Sequence, residues 1–76
     1  MSKAILFTKR GCTPCLNLKK FLLAETDLEF EEYDAEKDIE KLQEYDVMSV
    51  PTLIIGDQRT TGFKPQEVMK LINNNG

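Results

Sequence analysis

The spacing of hydrophobic residues along the chain predicts strands and helices in alternation. Ala4-Ile5-Leu6-Phe7 is a continuous apolar run too short for a helix, so we expect a strand buried on both faces. From Thr13 onward, apolar residues recur at helical spacing and predict a helix of about three turns. The apolar stripe of this helix contains Leu18, Phe21 and Leu22, and is widened by Leu16 and Leu23.

The middle of the chain predicts a strand and a short helix. Leu28-Glu29-Phe30-Glu31 alternates apolar and acidic residues, which is typical of a half-exposed strand. Asp34 is expected to be the N-cap of a short acidic helix that carries Ile39 and Leu42.

The last third of the chain predicts a hairpin and a helix. Thr52-Leu53-Ile54-Ile55 and Arg59-Thr60-Thr61 form the hairpin strands, with a turn at Gly56-Asp57 and a break at Gly62. The helix begins at Pro65, and four of its residues are candidates for the hydrophobic core: Val68, Met69, Leu71 and Ile72.

The order of these elements, β-α-β-α-β-β-α, predicts an α/β fold. A strand-helix-strand unit implies a parallel pair with a right-handed crossover, and a short hairpin implies an antiparallel pair. We therefore predict a four-stranded mixed sheet with three helices distributed over both faces. At 76 residues, we expect a single domain spanning positions 1–76.

Charge is strongly segregated, although the net charge is only −3. Residues 1–24 carry five cations and no acid, whereas residues 25–46 carry eleven acids against Lys37 and Lys41. We interpret the acidic segment as a solvated face, the alternative being a docking surface for a basic partner. Dispersed cations without interleaved aromatic residues do not favour binding of nucleic acid.

The sequence pattern does not indicate a membrane or secreted protein. No apolar run approaches the roughly 18 residues that a membrane span requires, and the first run ends at Phe7, unlike a signal peptide. We therefore expect a cytoplasmic monomer without a membrane partner. In a reducing cytosol, two cysteines more often bind metal or do redox chemistry than form a structural disulfide.

Both cysteines lie in the stretch Arg10-Gly11-Cys12-Thr13-Pro14-Cys15. A disulfide across so short a loop constrains the unfolded chain little, and structural zinc needs four ligands where this chain has two thiols and no histidine. Thiol–disulfide exchange needs only one reactive thiol and a second one close enough to resolve the mixed disulfide. The spacing therefore predicts a redox-active Cys12–Cys15 disulfide, with no bound metal.

Cys12 is the expected nucleophile, and Cys15 the more buried resolving thiol. Pro14 suits the first turn of the helix, so Cys12 lies where free N–H groups and the helix dipole favour a thiolate. Lys9 and Arg10 add positive charge nearby. We expect the pKa of Cys12 to lie below the value of about 8.5 of a free cysteine.

The strand, the C-x-x-C motif at a helix start, the acidic middle and Val50-Pro51 before a hairpin together resemble a glutaredoxin-like protein of the thioredoxin fold. The resemblance covers nearly the whole chain and implies a cis Val50–Pro51 bond. A cis bond turns the backbone groups of Val50 outward, where they pair with an extended thiol ligand. Lys9 matches the lysine that glutaredoxins use to hold a glutathione carboxylate.

Other residues are more similar to the NrdH-redoxin subgroup. Thr61-Gly62-Phe63-Lys64-Pro65 is similar to the S-G-F-R-P motif of NrdH-redoxins, although Thr60 replaces the tryptophan that usually precedes it. Glutaredoxins instead have a glycine pair and an acidic residue there, and C-P-Y-C where this chain has Thr13-Pro14 between its cysteines. The resemblance adds Thr13, Pro51, Gly62 and Phe63 to the candidate substrate contacts. Phe63 is equally compatible with a core role, and Gly62 with a backbone one.

We predict a small dithiol–disulfide oxidoreductase that reduces protein disulfides. The resemblance to NrdH-redoxins implies thioredoxin reductase as electron source and ribonucleotide reductase, or another disulfide protein, as acceptor. A glutaredoxin reduced by glutathione is the first alternative. An iron–sulfur cluster carrier, in which Cys12 thiolates of two chains hold the cluster, is the second.

Overall fold

The computed structural model describes residues 4–75, so residues 1–3 and 76 of the predicted domain lie outside the described part. The predicted order of elements is confirmed. The strands are β1 (Ala4–Thr8), β2 (Phe30–Asp34), β3 (Thr52–Ile55) and β4 (Gln58–Thr61). The helices are α1 (Thr13–Glu25), α2 (Ile39–Glu44) and α3 (Pro65–Asn75).

The strands form one mixed sheet in the order β2-β1-β3-β4. β1 and β2 are parallel, with Leu6 opposite Glu32. β1 is antiparallel to β3, and β3 is antiparallel to β4, with Ile54 opposite Arg59. The predicted parallel pair and hairpin are therefore both present, and the apolar strands β1 and β3 occupy the centre of the sheet.

Two hydrophobic clusters cover the two faces of the sheet. On one face, residues of β1 and β3 pack with α1 and α3, in a cluster of Ala4, Leu6, Leu18, Leu22, Leu53, Ile55, Val68 and Leu71. On the other face, Phe7, Val47 and Ile54 pack with the partly buried Leu42 of α2 and with two tyrosines. Each fully buried leucine side chain contributes about 1.5–3 kcal/mol to folding. Helices on both faces of the sheet are therefore confirmed.

The apolar stripe of α1 is narrower than predicted. Leu16 is 57% exposed and Leu23 is 67% exposed, while Leu18 and Leu22 are fully buried. At 3.6 residues per turn, positions 16 and 23 lie on the side of the helix opposite to positions 18 and 22. Met69 of α3, also predicted for the core, is exposed as well.

One local prediction about the middle of the chain is shifted and another is wrong. The strand predicted from Leu28 is present but begins at Phe30, and the Leu28 amide donates to Thr26 Oγ1 at 3.3 Å. Asp34 ends β2 and does not cap α2. Its Oδ1 accepts from the Glu36 amide at 2.8 Å, and Asp38 occupies the N-cap position of α2.

Candidate active site

The two cysteines lie where the central strand β1 passes into α1. After Thr8 the chain turns at Gly11, which has a φ of +75°, a left-handed value that costs other residues about 1–2 kcal/mol. Cys12 is then the N-cap of α1, and Pro14 lies in the first turn as predicted. The start of the helix is thereby placed at the carboxyl end of β1.

Cys12 and Cys15 form a disulfide, with their Cα atoms 5.2 Å apart. Cys12 is 8% exposed and Cys15 is 2% exposed, so the first cysteine is the more accessible, as predicted. The backbone amide of Cys15 donates to Cys12 Sγ at 3.2 Å, and the first turn of α1 contains no acidic residue. Cys12 Sγ therefore accepts from a first-turn amide that has no partner within the helix, at the positive end of the helix dipole.

A groove of about 360 Å³ brings together two of the predicted ligand contacts, Lys9 and Val50. The lining residues are Lys9, Ala35, Leu42, Val47, Met48, Ser49 and Val50. Met48 is 90% exposed, so the wall of the groove ends in an open apolar side chain. The groove offers an apolar surface with a lysine at one side.

The segment that carries Val50 is tied to the hairpin that follows it. The Val50–Pro51 bond is cis, as predicted, and Pro51 is buried. Thr52 Oγ1 donates to the Ser49 carbonyl at 2.6 Å, and the Gly62 amide donates to the Pro51 carbonyl at 2.8 Å. Gly62 has a φ of +75°, in agreement with the backbone role expected of it.

Phe63 and Thr13 lie in different surroundings. Phe63 is half-buried, packs against the cluster of α1 and α3, and its ring centroid is 6.0 Å from that of Phe21. Thr13 is the exposed first residue of α1, directly after Cys12. The fold therefore gives Phe63 a packing role, whereas Thr13 is accessible beside the reactive end of α1.

Three polar residues beside Cys15 were not predicted from the sequence. Thr8, Lys19 and Glu32 line a small cavity of about 80 Å³ together with Cys15, Lys9 and Leu16. Thr8 Oγ1 donates to Glu32 Oε2 at 2.8 Å, and Lys19 Nζ lies 2.6 Å from Glu32 Oε1. The hydrogen bond from Lys19 lowers the pKa of Glu32 below its usual 4.5. The carboxylate therefore stays ionised, next to the buried cysteine.

Metal-binding clusters and membrane-spanning helices are both absent from the described residues. Within residues 4–75, no three side chains of His, Cys, Asp or Glu are grouped so that they could hold a metal ion. None of the helices in this range is long and apolar enough to cross a membrane.

Comparison with known proteins gives both a family and a set of similar folds. The family model described as glutaredoxin matches residues 4–60, which contain both cysteines and Val50-Pro51. The structure of the thioredoxin-like protein BC3987 is 32% identical, covers 91% of this chain and 99% of that chain, and has a TM-score of 0.79. No curated protein matches the sequence.

Two further solved structures have the same fold. A glutaredoxin from Archaeoglobus fulgidus is 25% identical, with coverage of 95% of this chain and 87% of that chain and a TM-score of 0.76. The NrdH-redoxin from Escherichia coli is 22% identical, with coverage of 91% and 93% and a TM-score of 0.75. The predicted thioredoxin-like fold is therefore confirmed.

Proposed function

Since the chain belongs to the glutaredoxin family and is a thiol–disulfide oxidoreductase, we propose that Cys12 and Cys15 act as a dithiol couple that reduces protein disulfides in the manner of an NrdH-redoxin. The observation that carries the proposal is the position of the couple, with Cys12 as the N-cap of α1 and its Sγ accepting from the Cys15 amide. In this position a thiolate is stabilised at Cys12 and at no other thiol of the chain.

The reaction begins with the reduced dithiol. The Cys12 thiolate attacks one sulfur of a substrate disulfide, forms a mixed disulfide and releases the other substrate sulfur as a thiolate. Cys15 loses its proton and attacks Cys12 Sγ, which releases the second substrate sulfur. The substrate gains two electrons and the Cys12–Cys15 disulfide is formed. An external dithiol or two molecules of a monothiol then return the two electrons.

We assign substrate contact to the groove that contains Lys9 and Val50. Within residues 4–75, the backbone amide and carbonyl of Val50 make no hydrogen bond, so both groups are available to an extended ligand. Strand-like pairing of this kind gives affinity without demanding a particular side chain. Lys9 attracts an anionic group of the ligand, the exposed Thr13 adds a contact next to Cys12, and the buried Pro51 acts through the cis bond that presents the Val50 backbone.

Thioredoxin reductase is the electron source that the sequence after the hairpin favours. Thr61-Gly62-Phe63-Lys64-Pro65 has the NrdH-like pattern and lacks an acidic residue that would hold the amino group of a glutathione γ-glutamyl unit. The acceptor is then a ribonucleotide reductase or another protein with an accessible disulfide. A cytoplasmic monomer stays a prediction from the sequence.

Glutathione is the second candidate reductant, and one observation favours it. Lys9 and Val50, the two residues that match glutathione contacts of glutaredoxins, line the same groove. A cysteine-containing tripeptide whose carboxylate reaches Lys9 would pair there with the Val50 backbone.

The experiment that decides between the two reductants follows NADPH oxidation with insulin as the disulfide substrate. One reaction contains thioredoxin reductase, and the other contains glutathione with glutathione reductase; Cys12→Ser is the blank. We expect turnover with thioredoxin reductase and little with glutathione. Turnover with glutathione alone would assign the chain to the glutathione-dependent glutaredoxins, and no turnover in either reaction would contradict the proposal.

A further inference from the structure

Arg59 connects the second strand of the hairpin to the end of α2. It lies in the edge strand β4, opposite Ile54, on the face of the sheet that α2 covers. Its Nη1 donates to the carbonyl of Asp46 at 3.2 Å, and its Nη2 donates to the carbonyl of Tyr45 at 2.5 Å. One guanidinium therefore holds two successive carbonyls that follow the last turn of α2.

These carbonyls belong to the turn that ends α2, where the amides of positions 45 and 46 donate back to the carbonyls of Lys41 and Gln43. Asp46 has a φ of +54°, in the left-handed region that residues other than glycine, asparagine and aspartate seldom adopt. The Val47 amide donates to the Leu42 carbonyl at 2.9 Å, which closes the helix end. The carbonyls of positions 45 and 46 lie past the last turn of α2, where helix carbonyls lack a partner within the helix, and a cation there also complements the negative end of the helix dipole.

The residues directly after this turn line the groove next to Lys9. Val47 is buried on the α2 face, and together with Met48, Ser49 and Val50 it lines the groove. The far end of the segment is held by the bonds from Thr52 and Gly62 described above. The two hydrogen bonds from Arg59 fix the other end of the segment, at the carbonyls of Tyr45 and Asp46.

We infer that Arg59 is a positioning residue for substrate binding: it fixes the start of segment 47–50 and thereby keeps the groove wall in its binding geometry. The inference rests on the proposed role of that groove. A wall that is already ordered loses less conformational entropy when a substrate binds, so the loss of Arg59 weakens binding without changing the chemistry at Cys12. Arg59 itself is exposed and lies in the other strand of the hairpin, so it is not a catalytic residue.

The test separates binding from chemistry in a single turnover. Pre-reduced protein is mixed with increasing insulin, quenched with an alkylating reagent, and the oxidised fraction is measured by mass spectrometry. For Arg59→Met we expect the half-saturating insulin concentration to rise roughly tenfold, the order expected when a binding segment must be ordered on binding, with an unchanged maximal rate. Arg59→Lys, which keeps the charge and one donor, restores part of the binding.

Lys70→Met is the matched control, because it removes one exposed cation from α3, which packs on the face of the sheet opposite to α2. We expect it to bind insulin as the original chain does. The inference is overturned if Arg59→Met leaves half-saturation within about twofold of the original value, or if it lowers the maximal rate instead. Should Arg59→Met not fold, Arg59→Lys carries the same test, with a smaller expected rise.

A variant of the wall itself distinguishes the inference from the proposal on which it rests. Met48→Ser removes the most exposed apolar side chain of the groove and is expected to raise half-saturation. If half-saturation rises for Met48→Ser but not for Arg59→Met, the role of Arg59 is contradicted, whereas the role of the groove in substrate binding is supported. If neither variant changes half-saturation while Cys12→Ser abolishes oxidation, the groove is not the substrate site, and both are overturned.

Discussion

Alkylation of Cys12 tests the electrostatics at the start of α1. In Cys15→Ser, Cys12 is the only thiol of the chain, so the rate of its reaction with iodoacetamide reports the thiolate fraction. The substitution keeps the backbone amide of position 15, which donates to Cys12 Sγ in the structure. The perturbation therefore leaves the predicted source of thiolate stabilisation in place.

A hydrogen bond and the helix dipole stabilise the Cys12 thiolate, and burial of the sulfur opposes them. A hydrogen bond to a charged group contributes about 1.5–3 kcal/mol, and the end of a helix dipole about 0.3–1 kcal/mol. The 8% exposure of Cys12 favours the lower end, because burial opposes the charged form of the thiol. A net stabilisation of about 2 kcal/mol raises the ratio of thiolate to thiol roughly 30-fold at a given pH.

The assay compares the pH midpoint of alkylation in the folded variant with that of the same variant in guanidinium chloride. The unfolded chain lacks the helix and should titrate near the free-cysteine pKa of about 8.5. We expect the folded midpoint to lie clearly below it. Coincident midpoints would refute the helix-start explanation for the reactivity of Cys12.

Three further predictions concern the framework of the site. Because the pKa of Glu32 is lowered on folding, its contribution to stability is present above the unfolded value and lost as the pH falls through the folded one. In urea unfolding at about pH 7, Glu32→Gln should be less stable by under about 1 kcal/mol, a small loss because the Glu32–Lys19 pair is partly exposed. At about pH 2 the same substitution should not change the free energy of unfolding, and an equal loss at both pH values would contradict this explanation. Leu18→Ala should cost about 2–5 kcal/mol of unfolding free energy, because a fully buried side chain is replaced by a cavity, whereas Leu23→Ala on the exposed side should cost far less. Gly62→Ala should cost about 1–2 kcal/mol through its φ of +75° alone, since an added Cβ meets no atom within 4 Å, and a neutral result would exclude that conformational cost.

The features that were predictable from the sequence depend on residues close together in the chain. The C-x-x-C spacing, Pro14 in the first turn and the apolar run before them together define a helix start with Cys12 at its N-cap. The order of strands and helices is likewise encoded by local periodicity. Leu16 and Leu23 show the limit of this approach, because a count of apolar residues does not reveal which side of a helix meets the sheet.

The features that were not predictable depend on register and on tertiary contact. Glu32 reaches the surroundings of Cys15 only because β2 pairs with β1 so that Glu32 lies opposite Leu6. Arg59 reaches the end of α2 only because β4 pairs with β3 so that Arg59 lies opposite Ile54. A slip of one residue in either pairing would move the side chain to the other face of the sheet. The Gly56-Asp57 turn fixes the register of the hairpin, but the contact between Arg59 and the end of α2 also depends on how α2 packs on the sheet.

The most direct test of the division of roles between the two thiols is the capture of the mixed disulfide. Reduced Cys15→Ser and reduced Cys12→Ser are each mixed with insulin, and the products are analysed by intact-mass and peptide mass spectrometry. We expect a stable adduct through Cys12 in the first variant and little or none in the second, because only Cys12 lies at the N-cap with an amide against its sulfur. An adduct that forms readily through Cys15 and not through Cys12 would reverse the roles and contradict the proposed mechanism.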